Sequence, residues 1–229
     1  MRIEQFVKCP LCFWLDHRHG IRRPPIPAFA INSQVDRLLK REFDAHRLAG
    51  TPHPIMLANG IAAVPFADPS IDDWRMIARG VMHLHEPTGL LITGAVDDVW
   101  QLVGGELAVV DYKATAKAAG VTIDEDWQQG YKRQIEVYQW LFRRNGFRVS
   151  NTGFFVYCNG QDAECFDDRL MFTTKLIPYT GNDAWIEPTL LYLKRCLTSD
   201  DPPHASIDCQ YCGYAEARKL CSLATNKCL

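Results

Sequence analysis

Asp97, Asp98, Asp111 and Lys113 crowd into one short apolar stretch, LLITGAVDDVWQLVGGELAVVDYK, residues 90–113. Read as two strands joined at Gly104-Gly105, it runs through Val109-Val110 straight into an acid and a base with one residue between them. Strand side chains alternate, so Asp111 and Lys113 project from one face about 6–7 Å apart. Carboxylates in such a setting suit a hard divalent cation such as Mg2+ or Mn2+, which takes oxygen ligands and keeps places for water and phosphate. The turn decides which acid stands across from Asp111. A two-residue Gly-Gly loop sets Asp98 there, whereas a three-residue loop or a bulge sets Asp97 there. Periodicity leaves both open. A single acid on a hairpin usually just faces solvent; three acids and a lysine beside an apolar pair favour a site.

Cysteine supplies the second constellation. Nine are present, and their placement says more than their number. Cys9 and Cys12 open the chain as C-x-x-C, Cys209 and Cys212 repeat that spacing near the end, and Cys221 and Cys228 follow. In a reducing compartment such groups point to metal binding, catalysis or simple burial rather than disulfides. Two C-x-x-C pairs fit a closed zinc site made of Cys9, Cys12, Cys209 and Cys212. Cys158, Cys165 and Cys196 stand singly and read as core or surface thiols.

The elements that must position these groups follow from periodicity. Residues 3–20 read as a helix or helical turn, and GIRRPPIPAFA as an extended connector. Val35, Leu38, Leu39, Phe43 and Leu48 give helical spacing up to Gly50. Residues 51–70 are turn-prone, and 72–79 read as a short helix. Strands over 81–86, 90–102 and 106–114, joined by short turns, predict a three-stranded antiparallel meander. An amphipathic helix over 127–144 follows, then strands near 152–158 and 169–174 and a helix over 183–197. The expected class is α/β with a mixed sheet, neither doubly wound nor a barrel.

Bulk composition is ordinary for a globular chain: 229 residues, 47% apolar, 23% charged, net charge −2. A nucleic-acid partner would therefore be held by local basic patches. The candidates are residues 17–23, Lys40-Arg41, Lys132-Arg133 and Arg143-Arg144, with Trp127 or Tyr131 to stack bases. Most such runs are simply solvated faces, and His83 and His85 read as structural. The start has no apolar run of signal-peptide length and no stretch suits a membrane span, so a soluble cytoplasmic protein is expected.

The motifs G-A-V-D (Gly94 to Asp97), V-V-D-Y-K (Val109 to Lys113) and Q-x-x-x-Y (Gln134, Tyr138) together resemble the PD-(D/E)XK nuclease superfamily and its RecB-like branch. The resemblance implies a restriction-endonuclease-like core of helix, three-stranded meander, helix and strand. It implies that Asp97 and Asp111 bind the metal and that Lys113 orients or activates the attacking water. Gln134 and Tyr138 would border the site, positioning metal ligands or DNA. RecB-like members often carry a metal-binding histidine on the first helix. Asp36 stands at that place and reads equally as a ligand or an exposed helix residue; Glu42 is a weaker candidate.

The cysteines are similar to the cluster ligands of AddB-type and CRISPR-associated RecB-like nucleases. That likeness implies a [4Fe-4S] cluster on Cys9, Cys209, Cys212 and Cys221, with Cys12 replacing Cys221 if the metal is zinc. The expectation is one nuclease domain over 1–229, with a cysteine-bearing segment at 1–30, the core at 31–178 and a cysteine-bearing tail at 179–229. The implied activity is a metal-dependent deoxyribonuclease, an exonuclease acting on single strands or duplex ends. A protein partner in a repair, CRISPR or phage complex could accompany it. The alternative is an inactive nuclease fold kept for DNA or partner binding and stabilised by the cysteine site.

Overall fold

The structure, a computed structural model, describes residues 2–25 and 29–225, the side chains of 222–225 excepted. Cys228 lies outside the described residues. The first predicted helix is two: α1 (Arg2–Lys8) and α2 (Pro10–His19) part at Cys9. Pro10 cannot donate a backbone hydrogen bond but suits the first turn of a new helix. Next, α3 (Ala30–Ala49) closes on Gly50 at φ 63, a left-handed C-cap that glycine adopts without strain. The turn-prone stretch holds α4 (Pro54–Ala58), a short strand β1 (Ala63–Pro65) and α5 (Ile71–Trp74). Then come β2 (Val81–His85), β3 (Leu90–Gly94), β4 (Asp98–Leu102) and β5 (Leu107–Thr115). After them run α6 (Gln129–Arg144), β6 (Thr152–Gly160), β7 (Phe172–Thr180), α7 (Ile186–Thr198) and α8 (Gln210–Thr225).

These elements form two compact units: Ala28–Asp183, and the chain ends Met1–Pro27 with Ala184–Leu229. The larger unit holds a five-stranded mixed sheet in the order β1-β4-β5-β6-β7, with β5 and β6 parallel and the other pairs antiparallel. Central strand β5 is buried on both faces. Ala108, Val110 and Tyr112 join Leu39 and Phe43 of α3, Trp100 and Phe154 in the main apolar core. Each such fully buried large side chain contributes about 1.5–3 kcal/mol. Lys113, on the opposite face, reaches α6, whose residues 135–142 are all buried.

The meander needs one correction. The predicted strand over 90–102 breaks at residues 95–97, so β2 and β3 form a separate two-stranded sheet while β4 pairs with β5 in the main one. Backbone chemistry explains the break. The Val96 N–H donates to the Trp74 carbonyl at 3.0 Å, and Arg75 Nε donates to the Asp97 carbonyl at 3.0 Å. Groups that would continue a ladder are taken by the end of α5.

In the smaller unit, Phe6 and Phe13 meet edge to face and Trp14 Nε1 donates to the Ser199 carbonyl at 3.1 Å. No helix among the described residues is long and apolar enough to cross a membrane.

Candidate active site and cysteine site

The turn between β4 and β5 decides the acid pair. Gln101 pairs with Leu107, and the Leu102 N–H donates to the Glu106 carbonyl at 2.8 Å. Val103, Gly104 and Gly105 thus form a three-residue loop, with φ of 101 and 85 at the two glycines. Asp98 pairs with Val110, so the same register carries Asp97 opposite Asp111. Asp97 Oδ2 accepts from the Tyr112 N–H at 2.9 Å, which fixes it there.

Asp98 belongs to a different network. Its carboxylate is fully buried, pairs with Arg47 and, at 3.3 Å, with Arg75, and accepts from Tyr112 OH at 2.8 Å and the Val99 N–H at 2.8 Å. Asp44 holds Arg75 from the other side at 2.9 Å. Both arginine side chains are under a tenth exposed, so Asp98 neutralises buried cations and is spent on the core.

Asp111 is left open by comparison. It is fully buried, its Oδ1 has no hydrogen-bond donor among the described residues, Oδ2 is paired with Lys113 Nζ, and the Asp97 carboxyl lies against the group. Burial raises its carboxyl; the Lys113 ammonium offsets part of this, Asp97 adds to it, and the group comes to about 7. Burial alone would push Lys113 down, but Asp111 and Asp97 outweigh it and hold the amine protonated. Lys113 Nζ also approaches Gln134 Oε1 at 3.5 Å and lies 4.5 Å from the Tyr131 ring centroid. Gln134 Nε2 in turn donates to Tyr138 OH at 2.8 Å. One helical turn separates Gln134 from Tyr138, so both lie on one face of α6.

Gly94 makes room for this arrangement. A Cβ there would stand 2.6 Å from Tyr138 Cε1 and 3.0 Å from Leu141 Cδ1. The glycine of G-A-V-D is thus required by ring packing, at an ordinary φ.

Lys40, expected from the sequence as part of a basic nucleic-acid patch, instead stands among the acids. Its Nζ lies 2.8 Å from Asp36 and 3.3 Å from Asp97, linking the candidate ligand Asp36 to the acid pair through an ammonium. Asp36, Lys40, Asp44 and Arg47 recur at helical spacing on α3, a polar stripe that helical periodicity could have found. Glu42 instead accepts from His53 at 2.9 Å. The basic runs are mostly paired: Arg18 with Asp200, Lys132 with Asp124, Arg143 with Asp183. His83 packs edge to face on Trp140, and His85 meets Thr88 at 2.7 Å inside its own turn.

In the smaller unit, Cys9, Cys12, Cys209 and Cys212 bring their sulfurs within 4.8 Å of one another and could hold a metal. Three of the contacts are 3.4, 3.6 and 3.8 Å. Cys221 sits exposed on α8, apart from this group, while Cys12 is in it. Burial pushes Cys9 up, but backbone N–H groups at Cys12 and Ser206 and the neighbouring thiols bring it down to about 6. Arg23 approaches Cys209 Sγ at 3.8 Å and stacks on Tyr211 at 4.7 Å, adding positive charge beside the sulfurs.

Among solved structures, the chain is similar to a candidate exonuclease from Eubacterium rectale, at 15% identity and a TM-score of 0.45 over 93% of this chain and 85% of that one. It is also similar to the structure of SSO0001, at 15% identity and 0.39, over 88% and 77%. No curated protein matches it. The PD-(D/E)XK nuclease superfamily profile matches residues 31–217, which takes in the acid pair, Lys113, α6 and the second cysteine pair, and the chain belongs to that superfamily.

Proposed function

We propose that this protein is a metal-dependent deoxyribonuclease of RecB-like type that hydrolyses phosphodiester bonds from single-stranded or duplex ends. The observation that carries the reading is Asp111, a buried carboxylate with an oxygen left unpartnered opposite Asp97. An unpaired buried carboxylate is costly, and a cation satisfies it. Asp97 and Asp111 would hold Mg2+ or Mn2+, with Asp36 within reach through movement of Lys40. Bound there, a metal would supply Lewis acidity toward the phosphoryl oxygen and would acidify an attacking water. Lys113, kept as an ammonium, donates to the water or to the oxygen on which charge grows. Gln134 fixes Lys113 from the α6 side, and Tyr138 fixes Gln134.

Labelled single-stranded and duplex DNA incubated with Mg2+ or Mn2+ tests this: the wild-type chain should release nucleotides from ends, and Asp111→Asn and Lys113→Ala should not. Equal degradation by the variants would refute the assignment of the site. A second reading, a DNA- or partner-binding module without cleavage, draws on Lys40, whose ammonium already neutralises Asp36 and Asp97. Tight DNA binding without cleavage in any divalent metal would favour it.

For the cysteine site we propose zinc on Cys9, Cys12, Cys209 and Cys212. Zinc–sulfur bonds of about 2.3 Å set tetrahedral sulfurs about 3.8 Å apart, close to the three contacts of 3.4, 3.6 and 3.8 Å in a group whose sulfurs all lie within 4.8 Å of one another. A [4Fe-4S] cubane gives each thiolate its own iron at a separate corner and needs a wider set. Metal analysis of the purified protein decides: one colourless zinc supports the reading, and a brown iron-bearing protein overturns it.

A further inference from the structure

An exposed tryptophan by itself carries no message; a tryptophan held exposed on a pinned loop, one aromatic ring away from a candidate catalytic lysine, does. Trp127 is 50% exposed at the 3-10 turn that opens α6. Two buried amides fix the segment that presents it. Gln128, fully buried, donates to the Thr122 carbonyl at 2.7 Å and accepts from the Glu125 N–H at 3.1 Å. Asn159 clasps the backbone of Lys117, accepting from its N–H at 2.8 Å and donating to its carbonyl at 2.9 Å. Val121 and Ile123 are buried between these points.

The indole is oriented as well as presented. Its Nε1 donates to Glu125, which also binds Lys117, and Lys117 Nζ lies 5.1 Å from the indole centroid. Tyr131 meets Trp127 edge to face at 5.5 Å, and the Tyr131 ring is the one over which Lys113 sits. Trp127, Tyr131, Lys113 and Asp111 are therefore linked by successive side-chain contacts, from an exposed indole to a buried carboxylate. Bases stack on aromatic faces without regard to sequence, whereas in a duplex those faces are already stacked.

We propose that Trp127 is a stacking platform for a base of single-stranded DNA next to the cleavage position, with Lys117 placed to meet the adjoining phosphate. This deepens the nuclease reading, from which it takes its substrate, and gives the site a preference for unpaired strands.

Binding in EDTA separates the two ideas because it needs no cleavage. Fluorescence anisotropy would follow a labelled oligodeoxythymidylate, the same strand with abasic residues, and a blunt duplex. Loss of one stacked base weakens binding about 5- to 150-fold. Trp127→Ala should weaken binding of the oligodeoxythymidylate by that factor, Trp127→Phe should retain most of the affinity, and duplex binding should change less than about twofold. The abasic strand should bind wild type and Trp127→Ala alike. Unchanged binding of the oligodeoxythymidylate by Trp127→Ala, or equal binding of normal and abasic strands by wild type, would overturn the proposal. If cleavage were absent while this Trp127-dependent binding remained, the nuclease reading alone would fail.

Discussion

Asp97 and Asp98 are consecutive, yet Asp97 faces Asp111 across the β4–β5 pair while Asp98 is locked between Arg47 and Arg75 beneath the sheet. The consequences of neutralising them should therefore be opposite. Asp98→Asn leaves two buried guanidinium groups short of a counter-charge, and breaking a buried pair costs about 3–5 kcal/mol. Chemical denaturation should show that loss. Asp97→Asn should unfold within about 1 kcal/mol of wild type and instead reduce DNA cleavage at least about 100-fold. Reversal of the two phenotypes would place the metal on Asp98.

Gly94 and Tyr138 give a second contrast. Gly94→Ala drives a methyl into the Tyr138 ring, and overpacking of this kind costs about 1–3 kcal/mol. It also displaces the ring that anchors Gln134. Both stability and cleavage should fall. Removing the obstruction with Tyr138→Ala in the same chain should recover part of the stability lost to Gly94→Ala, so the double variant is less destabilised than the sum of the singles. Simple additivity in thermal melts would mean the two residues do not press on each other.

These contrasts also show what could be read from the chain beforehand. Strand alternation is enough to put Asp111 and Lys113 on one face, and the length of the β4–β5 turn decides between Asp97 and Asp98 as the hairpin rules require. Gln134 and Tyr138 stand out only through the family resemblance, since a helical period alone reads them as a solvent-facing stripe. The β3–β4 break was not legible, since it depends on Trp74 and Arg75 capturing backbone groups from a distant part of the sequence. The pairing of Lys40 with the acids and of Arg47 and Arg75 with Asp98 is hidden for a related reason. Their partners lie far along the chain, and helical spacing marks a polar stripe without saying what it meets. In the cysteine site, the C-x-x-C spacing marks the two pairs that come together, while the place of Cys221 outside the four-sulfur group follows from where α8 carries it.

The raised carboxyl of Asp111 predicts how cation binding depends on pH. A bound cation needs the carboxylate, and the proton competes for it until about pH 7. Apparent affinity for Mn2+ should fall by up to about tenfold for each pH unit below 7 and level off above about 8. Lys113 lowers the Asp111 carboxyl, so Lys113→Met should move the break to higher pH. Calorimetric titrations at pH 6, 7 and 8 would check both statements, and a pH-independent affinity would contradict them.

The cysteine cluster should be separable by single substitutions. Cys12→Ser removes a sulfur within 3.6 Å of two others, whereas Cys221→Ser alters an exposed residue outside the group. Structural zinc contributes directly to folding, because the unfolded chain offers no preformed site. Cys12→Ser should therefore lower the bound-metal content below one per chain and lower the melting temperature of the purified protein. Cys221→Ser should retain metal and melt like wild type. A strong chelator should reproduce the Cys12→Ser melting curve in wild type and add little to that variant. If Cys221→Ser were the variant that lost metal, the ligand set would instead be the one with Cys221 in place of Cys12.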